Sequence, residues 1–552
     1  MKLSPVEKIK QESDGLRGTL KQALENDLTG AVNEADLQVI KFHGMYLQDD
    51  RDRREERASK KLERLYSYMI RLRLPGGTLT PEQWLATHHI AGEHSTGVIK
   101  ITTRQTIQLH GIIKSHIKPT IQAFNAAALD SIATCGDINR NVAVSSHPAF
   151  SPLYAQVHAY ADKISQLLMP KTRAYYEIWM DEEKIAERSE EDPLYQDRYL
   201  PRKFKIGIAI PPHNDVDVLT NDIGLIAIIE NNTLKGFNIA IGGGLSQTHG
   251  NSDTYPRLAT VIGFAEGEEN TLRTVYEILT VQRDFGNRGD RKLARLKYTV
   301  DNMGVAAFKA EVEKRTGYTL QPAKPYQFED RQDWFGWRKA DDGRWYYTVF
   351  VENGRVTDDE NAATKTALYE IAQTGKAQFH FTSNQNVILA EIEESDKAMI
   401  DALLQQFGVR SFTEQSSALR RNSMACVAFN TCPLALAEAQ RYLPSLISKC
   451  EPLLQKHGLQ EEEIILRMTG CPNGCGRSPA AEIGFIGTAY GLYNLHIGGD
   501  RLGTRLNFKY RENLDEAAIL EELDALFGAY QNERQPGETF GDFTYRRYQH
   551  NS

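Results

Sequence analysis

The 552-residue sequence predicts an α+β protein that carries one structural plan twice. Two observations predict it. Stretches recur in the same order at a nearly constant offset. TTRQTIQLH (102–110) returns as TSNQNVILA (382–390), 280 residues on, and NRNVAVSSHP (139–148) returns as RRNSMACVAF (420–429), 281 residues on. FNIAIGGG (237–244) answers to YNLHIGGD (493–500) after 256 residues, and LPGG (74–77) to VENG (351–354). Second, each copy opens on a small strand-helix-strand pattern and continues into a larger mixed region. No segment has the G-x-G-x-x-G of a dinucleotide fold or the G-x-x-x-x-G-K-[ST] of a phosphate loop, so nicotinamide electrons, if used, reach the chain through another protein.

The elements follow in order. Residues 1–64 read as a charged arm, with DDRDRREERASKKLER (49–64) a solvated helix supported by Glu56 and Lys60 at i,i+4 spacing. YSYMIRLRLPGG alternates and ends in a turn, which is a strand pattern with Arg71 and Arg73 on one face. PEQWLATHHIAGEH, with Pro81 at its start, predicts a helix. GVIKITTRQTIQLHGI alternates again, with Lys100, Thr102, Arg104, Thr106, Gln108 and His110 on one face and Ile101, Ile107 and Leu109 on the other. In RKFKIGIAI, Lys203 and Lys205 share a face with the small Gly207 and Ala209, as if something bulky lies there. The second copy replaces the basic face of the first with Thr382, Asn384, Asn386, Ile388 and Ala390. A solvated half-exposed sheet explains any one basic strand. The difference between copies points instead to a polyanionic ligand held mainly by the first. His110 alone fits a core histidine equally well.

Net charge is −8, which argues against a general nucleic-acid binder. No apolar run is long enough to span a bilayer; IGLIAII (223–229) reads as a buried strand. The start lacks the apolar core of an export signal, so the expectation is a cytoplasmic protein without membrane contact.

Four of the six cysteines form two close pairs, Cys426-x5-Cys432 and Cys471-x3-Cys475; Cys450 falls in a helical stretch (434–458) and reads as a passive buried thiol. A thioredoxin-like pair needs C-x-x-C, and a disulfide is disfavoured in a reducing compartment. Irregular spacing suits the larger iron–sulfur cluster better than structural zinc, although zinc stays open on pattern alone. Gly470, Gly474 and Gly476 would admit backbone N–H groups to cluster sulfurs, and Pro433 and Pro472 stiffen the loops after two of the thiols.

C-x5-C with C-x3-C inside CPNGCG, together with RLRLPGG, TTRQT, INRN and PRKFK, resembles the sirohaem-dependent sulfite and nitrite reductases, from FHGMYLQDDRD (42–52) to GDFT (541–544). The resemblance implies two ferredoxin-like half-domains (65–130 and 326–410), a sirohaem-binding domain (131–325) and a second large domain carrying a [4Fe–4S] cluster (411–552). It implies cluster ligation by Cys426, Cys432, Cys471 and Cys475, with Cys475 also the axial ligand of sirohaem. The carboxylates of sirohaem would be the polyanion, held by Lys100, Arg104, Gln108, His110, Arg140, Arg295 and Asn473. Arg71, Arg140, Lys203 and Lys205 would form the anion-binding face, the lysines as proton sources. Lys205 stands where nitrite-specialised relatives tend to have asparagine, and no cysteine stands near Val144 as in some ferredoxin-linked relatives. Both lean toward sulfite as substrate, in sulfate assimilation and cysteine biosynthesis, with NADPH electrons delivered by a separate flavoprotein (alpha) subunit. The rival outside enzymology is a zinc-stabilised interaction protein.

Overall fold

The computed structural model describes residues 2–183 and 192–549. Its strands form four five-stranded sheets in two matched pairs. In the first pair all neighbours are antiparallel. One sheet runs Met45–Asp49, Tyr66–Arg71, Ile107–Ile112, Ile99–Ile101, Arg355–Val356; its counterpart runs Gly336–Lys339, Trp345–Val349, Val387–Ile392, Gln378–Phe381, Thr78–Leu79. The last strand of each comes from the other copy. Thr78–Leu79 crosses to pair with Phe379 and His380, and Arg355–Val356 crosses to pair with Lys100 and Ile99. The LPGG and VENG turns launch these exchanged strands, with Gly76 at φ 68° and Asn353 at φ 52°. The duplication is therefore also an interlock.

The second pair shares another topology. Ala143–Val144, Ile206–Ala209 and Ile223–Glu230 are parallel, followed by antiparallel Thr233–Ile241 and Thr260–Glu266. Ser423–Ala425, Leu466–Thr469 and Ile483–Ala489 repeat the parallel part, and Leu492–Ile497 and Phe508–Leu514 the antiparallel part. IGLIAII is a buried strand here. Helix Pro81–His94 has the predicted bounds, closed by a Thr80/Gln83 capping box. It joins the copies, since Trp84 stacks on Phe379 with ring centroids 4.8 Å apart. Among the described residues no helix is long and apolar enough to cross a membrane.

Three sequence expectations need correction. Residues 97–112 form a hairpin, not one strand. Ile99–Ile101 and Ile107–Ile112 pair antiparallel, and Gln105 turns the chain at φ 53°. Lys100 and Gln108 are cross-strand partners, so they still share a face, while Arg104 sits at the turn. Residues 1–64 do not form a free arm. Met45–Asp49 joins the first sheet, and Lys10 is buried with its Nζ 2.5 Å from Glu7 and 3.3 Å from Asp137. Three short helices, Pro5–Gln11, Leu20–Glu25 and Glu34–Val39, precede that strand, and of the charged run 49–64 only Arg54–Ser59 is α-helical, although the Glu56–Lys60 pair forms at 2.8 Å. The helix that buries Cys450 runs Leu443–Lys456 only, because the thiol loop continues through residue 442.

Candidate cofactor cleft and thiol cluster

The hairpin turn, the approach to strand Ile206–Ala209 and the CPNGCG loop meet in one cleft, where Arg104, Lys203, Lys205, Arg295, Asn473 and Cys475 line the walls. Arg104 is latched at the turn. Its Nη1 donates to Asn221 Oδ1 at 2.5 Å, and its Nη2 to the carbonyls of Asn141 (2.5 Å) and Ile206 (2.7 Å), while Nε is buried without a partner. Asp222 holds Arg295 at 2.8 Å and accepts the Lys205 N–H at 2.9 Å. Among the described residues no carboxylate pairs with the Lys203 or Lys205 ammonium. Burial, followed by the neighbouring cations, brings Lys203 down to about 7, against the pull of the Cys475 sulfur. Lys205 is also pushed well below the usual lysine range, by burial first and then by Lys203, Arg104 and Arg295. Arg104 falls to about 9 for the same first reason. The cleft thus concentrates desolvated cationic groups, and of Arg104, Lys203, Lys205 and Arg295 only Arg295 has a carboxylate partner, which fits a polyanion.

The other sequence-predicted residues form a second layer. Arg71 Nη1 donates to the Thr134 carbonyl at 3.2 Å and to Cys135 Sγ at 3.3 Å. Arg140 Nη2 donates to the Gly136 carbonyl at 3.0 Å and to Tyr46 Oη at 3.2 Å. With the amide oriented to satisfy its neighbours, Gln108 accepts from Arg71 Nε at 2.9 Å and donates to His110 Nε2 at 3.3 Å, and His110 Nδ1 donates to Gln48 at 2.9 Å. Burial keeps His110 neutral, down at about 3, so it buttresses the Arg71 row from behind. Lys100 is placed apart from the cleft: its Nζ donates to the Asn353 carbonyl, its pKa is lowered to about 7 chiefly by burial, and the charge it feels most is that of Cys426. The bulk expected against Gly207 is the chain's own Asn221, whose Nδ2 would lie 2.6 Å from a Cβ there.

The four paired cysteines gather behind the cleft. Burial pushes the Cys426 thiol well up and Cys432 to about 12; Cys426 also feels the other three sulfurs, and Cys432 those of Cys475 and Cys471. Burial likewise raises Cys471, with Cys475 next and Lys203 opposing. Such thiols deprotonate on binding a metal centre, not before. Gly470 N–H donates to Cys426 Sγ at 3.4 Å and Asn473 Nδ2 to Cys471 Sγ at 3.5 Å. Gly470 also has no room for a side chain, since the Ala437 carbonyl would lie 2.5 Å from its Cβ. The set is open: among the described residues no group of three or more His, Cys, Asp or Glu is gathered as the ligands of one metal ion. Cys475 alone of the four is exposed, and it faces the cleft. Cys450 is buried in its helix, apart from them.

Sequence reasoning missed Asn221, Asp222 and Arg477. Asn221 and Asp222 sit in a polar stretch with no motif; only the duplication, which aligns 217–220 with 477–480, marks the region.

Residues 61–127 and 338–407 match the nitrite/sulfite reductase ferredoxin-like half domain, and 159–320 match the nitrite and sulphite reductase 4Fe-4S domain. The chain belongs to the nitrite and sulphite reductase family. A sulfite reductase [NADPH] hemoprotein beta-component of Leptospira biflexa serovar Patoc is 62% identical over 541 residues, covering 98% of this chain and 97% of that protein. Its namesake in Anoxybacillus flavithermus is 51% identical over 545 residues, covering 98% and 95%. The structure of the Mycobacterium tuberculosis NirA protein shares the fold at TM-score 0.79 and 23% identity, over 100% of this chain and 97% of that one.

Proposed function

We infer that the chain is the haemoprotein component of an NADPH-linked sulfite reductase and reduces sulfite to sulfide, with sirohaem and one [4Fe–4S] cluster as cofactors. One observation carries the reading: a cationic cleft whose two lysines have no carboxylate partner among the described residues ends on the exposed thiol of an open four-thiol set. Both halves fit the cofactors. The basic wall suits a polycarboxylate tetrapyrrole. The four thiols lie near enough to feel one another, and their x5 and x3 spacing suits a four-iron cluster better than a single zinc. In this reading Cys426, Cys432, Cys471 and Cys475 would hold the cluster, and the exposed Cys475 would also serve the sirohaem. Arg104, Arg295 and Asn473 would hold the tetrapyrrole from the cleft wall. Gln108 and His110 brace Arg71, and Lys100 stands beside Cys426 on the cluster side.

When bound, the coupled pair supplies stored electrons for a six-electron reduction. The protein does the rest. Arg71 and Arg140, always charged and held by backbone carbonyls, fix a small oxyanion in one pose. Lys203 and Lys205, desolvated and free of carboxylates, release protons to the oxygens that leave as water. With no dinucleotide fingerprint in this chain, electrons come from a flavoprotein subunit, in keeping with the beta-component naming of the relatives. All six cysteines are unpaired as disulfides, which supports a cytoplasmic setting. Steady-state reduction with a chemical electron donor tests the substrate: sulfite turnover is expected at a higher kcat/KM than nitrite, and the reverse order would overturn sulfite as the substrate.

A further inference from the structure

Residues 217–220 and 477–480 occupy equivalent places in the two copies. Asp217 (φ 46°) and Arg477 (φ 57°) each stand in the left-handed region and lead into a short turn, Val218–Thr220 or Ser478–Ala480, before their copy's central strand. These two equivalents meet. Arg477 Nη1 lies 2.8 Å from Asp217 Oδ2 as a close ion pair without hydrogen-bond alignment. The same carboxylate, fully buried, takes Arg467 at 2.6 Å and Arg331 at 2.8 Å. Were both copies to keep one residue type here, like charges would face each other between them. One acidic and one basic residue instead make a link that only the duplicated chain can form.

The link reaches the cleft from both ends. The Asp217 carbonyl accepts from Asn221 Nδ2 at 3.2 Å, and Asn221 in turn holds Arg104. The adjacent Asp222 holds Arg295 and the backbone of Lys205. On the other side Arg477 is two residues from Cys475, and its N–H donates to the Gly474 carbonyl at 3.1 Å. Its Nη2 ties to Asn384 Oδ1 at 3.0 Å and to the Ser383 carbonyl.

We propose that Asp217 and Arg477 are a positioning pair that sets the Cys475 loop of the second copy against the cationic wall of the first. The effect on catalysis rests on the sulfite reductase reading above. Arg477→Gln is the informative variant, because Asp217 keeps two arginine partners and the buried charge is better balanced. A displacement of the thiol of about an ångström is expected to lower kcat for sulfite by about 10²-fold with KM nearly unchanged. The visible bands that report the axial sulfur shift while iron content stays at the wild-type level, and Arg477→Lys recovers most of both. Unchanged bands and kcat in Arg477→Gln would overturn the proposal. So would a rate loss that merely follows iron loss and earlier melting. Amide hydrogen exchange supplies a readout independent of cofactor. In Arg477→Gln, faster exchange is expected in peptides covering 470–477 and also 217–222, in the other copy. Acceleration confined to 470–477 would overturn the link. A colourless wild-type chain, by contrast, would sink the sulfite reductase reading and leave the exchange experiment to decide the pair.

Discussion

Replacing Arg104 with leucine tests how the cleft is built. The guanidinium closes the hairpin turn onto the first large sheet through three short bonds, to Asn221 Oδ1 and to the Asn141 and Ile206 carbonyls. All three acceptors belong to buried residues. Bonds to a charged donor contribute about 1.5–3 kcal/mol each, and a buried acceptor left unpaired costs about as much. The three share one group, so their losses do not add fully. The expected net loss is about 3–5 kcal/mol for Arg104→Leu, and about half that for Arg104→Lys, which reaches one acceptor well. Denaturant unfolding of the cofactor-free chain, followed as the shift of the earliest transition, measures it; a chain of several domains need not unfold in one step. Haem content after reconstitution should fall in parallel. An unchanged midpoint in Arg104→Leu would refute the latch. The second copy offers an internal comparison, since its equivalent Asn384 donates to the Arg331 carbonyl at 3.1 Å and to Asp333 at 3.0 Å, the same closure made without charge on the hairpin.

The remaining predictions are these. Lys203→Ala should lower sulfite turnover by about 10²-fold or more and leave the haem spectrum in place, read by steady-state kinetics beside a visible scan; normal turnover would remove its role as proton source. Cys475→Ser should disrupt both cofactors together, measured as iron and haem per chain, and retention of both would rule out a shared sulfur. His43 concerns stability. Trp179 Nε1 donates to its Nδ1 at 2.9 Å, and its own Nε2 donates to the Leu16 carbonyl at 2.8 Å, so only the neutral ring fits. Burial lowers it from the ordinary 6.5 to about 4. The unfolded chain therefore binds the proton first, stability is complete above pH 6.5, and on the order of 3 kcal/mol is lost as pH falls to 4. Melting scans should show this slope flattened in His43→Gln; equal slopes would contradict it.

Much of this was legible because it repeats. The helix at 81–94 is legible from the pattern PEQWLATHHIAGEH with Pro81 at its start, and the offsets of 280 and 281 anticipate paired sheets. The hairpin was misread as one strand because its residues keep the same facing parity on both sides of the turn, so alternation does not register the reversal at Gln105. The exchanged strands were invisible, since each is two residues long, too short for periodicity to mark, and its partner lies about 255 or about 300 residues away. The thiols were found by spacing, whereas Asn221 and Asp222 were not, because their work is to hold other side chains. The charged segment at 49–64 is mostly exposed, as its charge run predicts, but Arg51 Nη1 donates to the Ala435 carbonyl at 2.7 Å and Asp52 pairs with Arg441 at 2.6 Å, both beside the Cys432 loop. Charge runs carry no sign of what they will meet across the fold.

The central claim is that one thiol set and one cationic cleft jointly hold two metal centres. The most direct test is a visible spectrum of the purified chain together with its iron content. The account requires a coloured protein with Soret and charge-transfer bands and about five irons per chain. A colourless chain carrying one zinc would contradict it.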